Sequence, residues 1–196
     1  MCEIDMYHFE RKYSSYNLIG GIDEVGRGAL AGPVISACVI LPVGCNLAVM
    51  DSKKLTAQKR ERLFYEIKRQ AVAVAIGLIN NSTIDEINIL NATKLSMLKA
   101  VEKISPIPNF LLIDALTLNT SLPQLAIKNG DNKSASIAAA SIIAKVTRDN
   151  MMIEYHNIYP QYGFNKHKGY GVPNHKKAIQ EFGMCKIHRK SFKSTH

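Results

Sequence analysis

The chain has 196 residues, 46% of them hydrophobic and 21% charged, which allows a sizeable core and argues against wholesale disorder. Its formal net charge of +9 suits a polyanionic partner or a merely solvated basic surface, and charge alone does not choose between them. Four cysteines (Cys2, Cys38, Cys45, Cys185) are scattered without a C-x-x-C pair, which argues against a zinc ribbon or a disulfide-stapled scaffold and fits reduced thiols. The longest uncharged stretch, residues 28–50, contains Pro33, Pro42, Gly28, Gly32 and Gly44, and reads as strands and turns rather than a membrane span. The N-terminus carries acids where a secretory leader needs a basic stretch and then an apolar run. A cytoplasmic protein with no membrane partner is expected.

Residues 18–25, LIGGIDEV, form a short apolar segment that ends in acids. Residues 33–41 are β-branched and apolar and predict a strand. A helix follows to about Gln70, with Thr56 as its N-cap and Leu63, Phe64 and Ile67 on one face. Residues 71–79 predict a third strand. Ser82 and Thr83 precede Asp85 and Glu86 in a capping-box pattern, opening a helix to about Ile104 with a break near Asn91. Residues 110–113 predict a buried strand and 125–128 a further short one, before the turn Asn129-Gly130-Asp131. The longest helix covers residues 134–155, rich in Ala and Ile. A Gly- and Pro-bearing loop region follows Tyr159, then a short helix near residues 176–182. Strands and helices in this order predict an α/β domain.

Four acids occupy places where acids are costly. Asp23 and Glu24 end one apolar strand, Asp114 ends another, and Asp131 precedes the long helix. Neighbouring strand residues face opposite ways, so Asp23 and Glu24 converge only if the strand ends or twists between them. Carboxylates from separate segments without His or Cys suit a hard cation, Mg²⁺ or Mn²⁺, of the kind that promotes phosphodiester hydrolysis. Each acid alone reads equally well as a cap or half a salt bridge, Asp131 in particular as a helix cap. Gly26-Arg27-Gly28 offers close backbone approach and a forked cation, or simply a tight turn. Asp51-Ser52-Lys53-Lys54 offers phosphate contacts or a solvated loop. Aromatics interleaved with bases in YPQYGF and HKGYG fit stacking on nucleotides, while His167 and His175 read as loop histidines. Residues 155–196 carry eight Lys or Arg against the single acid Glu181, a basic end suited to a polyanion.

The block GIDEVGRGALAGPV resembles the opening motif of the bacterial ribonuclease HII family, and DSKKLT, LLIDA, KNGDNKSASIAAASIIAKVTRD, YPQYGFNKHKGYG and HRKSF resemble its later blocks in order. The resemblance covers about residues 18–192. It implies an RNase H-like fold, a mixed sheet flanked by helices, with a core over about 18–155 and a helical, basic C-terminal extension over about 156–196 of one catalytic domain. It implies endonucleolytic cleavage of RNA in RNA–DNA hybrids and of single ribonucleotides embedded in duplex DNA, 5′ to the ribonucleotide, leaving a 3′-hydroxyl and a 5′-phosphate. Roles in DNA replication and ribonucleotide excision repair go with that activity, and a monomer is expected. The family's metal-binding catalytic carboxylates map onto Asp23, Glu24, Asp114 and Asp131, with Mg²⁺ or Mn²⁺ as cofactor. Its substrate-binding Gly-Arg-Gly block maps onto Gly26, Arg27 and Gly28, and its sugar-contacting tyrosine onto Tyr170. Val25, Ala115 and Val172 depart from the usual Ala, Gly and Thr. A non-catalytic nucleic-acid binder on the same scaffold is the other hypothesis, but it gains nothing from carboxylates that repel phosphate.

Overall fold

A computed structural model describes residues 5–45, 47 and 56–192. The first three apolar segments become β1 (Ile19–Val25), β2 (Val34–Ile40) and β3 (Ala73–Ile79), joined as an antiparallel meander. β4 (Phe110–Asp114) and β5 (Gln124–Ile127) add in parallel on the other side of β1, giving the order β3-β2-β1-β4-β5. The sheet is therefore mixed and flanked by helices, the RNase H-like arrangement expected.

β2 is buried at every position, because it lies inside the sheet and both of its faces are covered. Ile35, Ala37 and Val39 pack with Ile67 of α2 (Ala57–Gln70) and with the alanines and isoleucines of α4 (Ala135–Ile158). Cys38 and Ile40 on the alternate pleat pack with Met97 and Ala100 of α3 (Asn81–Lys103) and with Leu111. Small residues let the helices approach closely. A Cβ on Gly21 would stand 2.1 Å from the Ser136 carbonyl carbon of α4, and one on Gly77 would stand 1.8 Å from the Ser96 carbonyl oxygen of α3.

Thr56 caps α2 as expected, accepting from the Lys59 amide at 3.3 Å. The start of α3 differs from the capping-box reading: Asn80 is the N-cap and accepts from the Thr83 amide at 3.0 Å. The break lies at Asn88 (φ 64°), three residues before Asn91, and the Asn88 side chain accepts from the Asn91 amide to cap the second stretch. Asparagine tolerates positive φ and supplies its own cap, so one residue both ends and restarts the helix.

A short N-terminal helix, α1 (His8–Lys12), was not anticipated. It places Glu10 over the start of α4, where one carboxylate oxygen accepts from the Ser134 hydroxyl, the Ser136 hydroxyl and the Ser136 amide at 2.7, 2.7 and 2.9 Å. An anion there complements the positive end of the helix dipole. After α4 the chain forms a 3₁₀ turn (Pro160–Tyr162), α5 (Phe164–His167) and α6 (Pro173–Phe182), which starts three residues earlier than expected because Pro173 sits in its first turn. Met152, Tyr162, Phe164, Ala178 and Ile187 gather around Ala31 and tie this segment to the loop after β1. Among the described residues no helix is long and apolar enough to cross a membrane.

Gly21 precedes the acids of β1 by one residue pair, so its contact with α4 sets their position. Gly21→Ala should destabilise the protein by about 2 kcal/mol or more, since overpacking typically costs about 1–3 kcal/mol and the opposing atoms here are backbone. A urea midpoint equal to that of wild type would refute this.

Candidate active site

The parallel register pairs Ile22 with Ile113, so the next residues, Asp23 and Asp114, stand side by side at the carboxyl ends of β1 and β4. Ile22 and Ile113 turn toward α3, which sends the two acids to the α4 face. Of the two ways for Asp23 and Glu24 to converge, the strand does not end between them: pairing continues through Glu24–Ser36 and Val25–Ile35. The side chains bring the carboxylates together. Asp23 folds back to accept the Glu24 amide at 2.7 Å, and one oxygen each of Asp23, Glu24 and Asp114 lie within 4.8 Å of one another.

Their electrostatics follow from that crowding. Burial, then the Glu24 charge, push the Asp23 carboxyl well above the usual range, with Asp114 adding to the effect and a hydrogen bond from Ser141 opposing it. Burial also raises Glu24, opposed by Arg27, whose guanidinium donates to it at 3.3 Å. The other Glu24 carboxylate oxygen is buried without a hydrogen-bond partner among the described residues. The three acids line a cleft of roughly 380 Å³ together with Arg60, Ser141 and Lys145. An all-oxygen donor set, mutually repelling and partly unsatisfied, fits a hard divalent cation.

Asp131 is not part of that tight trio. It is 1% exposed in the 3₁₀ turn Gly130–Asn132, and its Oδ1 accepts from the Asn132 side chain at 3.0 Å. The preceding amide, Gly130 N–H, donates to Asp114 at 2.7 Å, which ties the turn to the cluster. Asp131 does not cap α4, because Ser134 does. Ala115, the residue after Asp114, sits at φ 53°, a conformation costly for a residue with a Cβ.

The turn after β1 adjoins the cleft. Gly26 has φ 96°, and a Cβ there would meet the Arg148 side chain at 2.3 Å, so glycine is required. Arg27 and Gly28 are exposed, and a Cβ on Gly28 would meet nothing within 4 Å, so that backbone faces open space. Tyr170 pairs with Ala29 in an isolated bridge, and the Leu30 amide donates to the Gly169 carbonyl at 2.8 Å. The structure thus brings Gly26, Arg27, Gly28 and Tyr170 together.

Two buried arginines hold this corner. Arg148 donates to the carbonyls of Pro33, Ala31 and Lys168 at 3.0, 3.0 and 2.9 Å. Arg189 donates to those of Gly32 and Arg27 at 3.0 and 2.9 Å. Both are fully buried, so Arg189 is not the surface charge that the basic C-terminal run suggested. Burial and the neighbouring Arg148 bring the Arg189 guanidinium down to about 9. His175 corrects another expectation: it is a fully buried helix residue rather than a loop histidine. The Asp51-Ser52-Lys53-Lys54 cluster lies outside the described residues.

Residues 20–195 match the family model described as Ribonuclease HII. The chain belongs to the ribonuclease HII family. It is 52% identical over 194 residues to a ribonuclease HII of Syntrophus aciditrophicus, covering 97% of this chain and 92% of that one. A ribonuclease HII of Bacillus mycoides is 53% identical over 191 residues, covering 97% of this chain and 74% of the relative. Among solved structures, the ribonuclease H2 of Pyrococcus horikoshii superposes with a TM-score of 0.77 at 25% identity, over 90% of this chain and 94% of that one. Family membership makes the chain an endoribonuclease, a hydrolase that acts on the RNA of RNA–DNA hybrids.

Because the carboxylates repel one another, Asp23→Asn should stabilise the protein in chelator by about 1–3 kcal/mol, since the amide still accepts the Glu24 N–H but carries no buried charge. Chemical denaturation of the two proteins in EDTA measures the difference, and a less stable variant would contradict it.

Proposed function

We propose that this chain cuts the RNA strand of RNA–DNA hybrids and single ribonucleotides embedded in duplex DNA, 5′ to the ribonucleotide, leaving a 3′-hydroxyl and a 5′-phosphate. The observation that carries the reading is the convergence of Asp23, Glu24 and Asp114 in a cleft that also bears Arg60 and Lys145. Acids alone would repel a phosphodiester, and a pure binding surface would have no use for them. Asp23, Glu24 and Asp114, joined by Asp131 through its turn, would hold Mg²⁺ or Mn²⁺. Bound there, the cation supplies Lewis acidity, activating water and stabilising the leaving oxygen.

The chain's own residues do the rest. Arg27, exposed and paired with Glu24 at 3.3 Å, would meet a phosphate oxygen at this turn. The exposed backbone of Gly28 permits close approach to a ribose, and a 2′-hydroxyl is the group that distinguishes RNA from DNA at one site. Tyr170, half-buried beside Ala29, offers its ring to the adjoining sugar. Removal of RNA primers and of misincorporated ribonucleotides are the cellular tasks that this chemistry serves.

The test is cleavage of a labelled duplex with one ribonucleotide, with product ends mapped in Mg²⁺, Mn²⁺ or EDTA. Cleavage should require the divalent ion, and an all-DNA duplex should be cut at least about 10⁴-fold more slowly, as expected for a site that binds a substrate hydroxyl. Asp23→Asn and Asp114→Asn should each lose at least about 10²-fold in turnover while keeping duplex binding. They should also lose the thermal stabilisation that a bound cation confers on the wild type. Binding without cleavage in the wild type would favour the non-catalytic reading instead.

Tyr170→Ala should lose more on the single-ribonucleotide duplex than on a long hybrid, because only the former depends wholly on one ribose-to-deoxyribose step. Equal losses would place the reader elsewhere.

A further inference from the structure

Behind Tyr170 lies a run of hydrogen bonds whose direction can be deduced. The His175 Nδ1 is 2.9 Å from the Tyr170 carbonyl oxygen. A carbonyl only accepts, so Nδ1 carries the proton and Nε2 of the neutral ring is bare. That Nε2 is 3.1 Å from Nε2 of His188, which must therefore donate. The remaining His188 nitrogen, Nδ1, is then bare, and it accepts from the Cys185 amide at 2.9 Å and faces the Cys185 sulfur at 3.1 Å. Every bond points the same way, from Cys185 through His188 and His175 to the Tyr170 carbonyl.

One tautomer on each ring satisfies all of these contacts, and an added proton on His175 would set N–H against N–H. The site keeps the rings neutral: both are essentially buried, and burial lowers His175 to about 4 and lowers His188 as well. Tyr170 is pinned from its other side too. His167, stacked on His175 with centroids 4.5 Å apart, accepts the Gly169 amide at its Nδ1 and donates from Nε2 to the Tyr162 carbonyl. Its own carbonyl accepts the Tyr170 amide at 3.0 Å.

We propose that His175 and His188 are positioning residues for substrate reading: the relay Cys185–His188–His175 orients the Tyr170 peptide, and with it the ring, which lies 5.4 Å from the Arg148 guanidinium behind the turn that follows β1. The inference deepens the proposed function and rests on Tyr170 being the reader there. No contact of either ring reaches the carboxylate cluster among the described residues, so the relay acts on recognition and not on the chemical step.

The test has two parts. In wild-type protein at neutral pH, long-range ¹⁵N–¹H correlation spectra should show His175 as the Nδ1–H tautomer and His188 as the Nε2–H tautomer; any other pair overturns the relay, with no variant needed. Then kcat and KM are measured on a single-ribonucleotide duplex and on a long hybrid for wild type, His175→Phe, His175→Asn and Tyr170→Ala. Phe keeps the ring volume without a donor, whereas Asn can still donate to the Tyr170 carbonyl. His175→Phe should raise KM for the single-ribonucleotide duplex by about three- to tenfold relative to the hybrid, the scale of one lost hydrogen bond, with kcat little changed. His175→Asn should restore most of that preference. If Tyr170→Ala shifts the preference and a folded His175→Phe does not, the relay proposal fails and the reader assignment stands. If Tyr170→Ala leaves the preference unchanged, the reader assignment fails and takes the relay's stated role with it.

Discussion

Like charges held together at the end of a buried strand pair are the constraint on which the rest of the molecule depends. Asp23 and Asp114 are neighbours because β1 and β4 run parallel in a register that pairs Ile22 with Ile113. Nothing local favours that arrangement, since burial and mutual repulsion both oppose ionisation of Asp23. The opposing stability comes from the two apolar layers, α4 and α2 on one face and α3 on the other, packed close enough that Gly21 and Gly77 have no room for a methyl group. A cation of suitable charge turns the same repulsion into a binding site.

A second requirement is that the turn beyond β1 hold its shape while leaving its backbone open. A turn of exposed Arg27 and Gly28 has few contacts of its own. The solution is to satisfy its carbonyls from behind. Arg148 from α4 and Arg189 from the C-terminal segment together donate to the carbonyls of residues 27, 31, 32, 33 and 168, so recognition loop and C-terminal extension fold as one unit. Delocalised guanidinium charge spread over several carbonyls is tolerated in a buried site, which explains two fully buried arginines with no carboxylate in hydrogen-bond contact among the described residues. The segment is further latched by Asp85, whose carboxylate accepts the amides of Lys190 and Ser191, both at 2.9 Å.

Much of this was legible in the chain. The strands announced themselves as short apolar runs, and the Thr56 cap stood where a hydroxyl side chain precedes a helical pattern. Asp23, Glu24 and Asp114 were conspicuous because acids at the ends of buried strands need a reason. Where the reading went astray, one residue type had two physical uses. Asn88 broke and restarted α3 through its own side chain, a contact that periodicity does not register. Arg189 looked like one more charge in a basic tail, though it is buried, and His175 looked like a loop residue, though it sits in α6. Glu10 gave no sign of its partners, which lie more than a hundred residues away at the start of α4.

The sequence by itself therefore determined the kinds of element, their order and the chemical character of the site, because these depend on local pattern and on the cost of placing a given side chain in a given segment. Its motifs also carried the family. Only the tertiary structure decided which acids share one cleft, that Asp131 stands apart from the tight trio, and which basic residues face inward. Those outcomes depend on strand register and on helix contacts between distant segments. A parallel pairing shifted by one residue would turn Asp114 to the other face of the sheet while leaving every local preference of the chain unchanged.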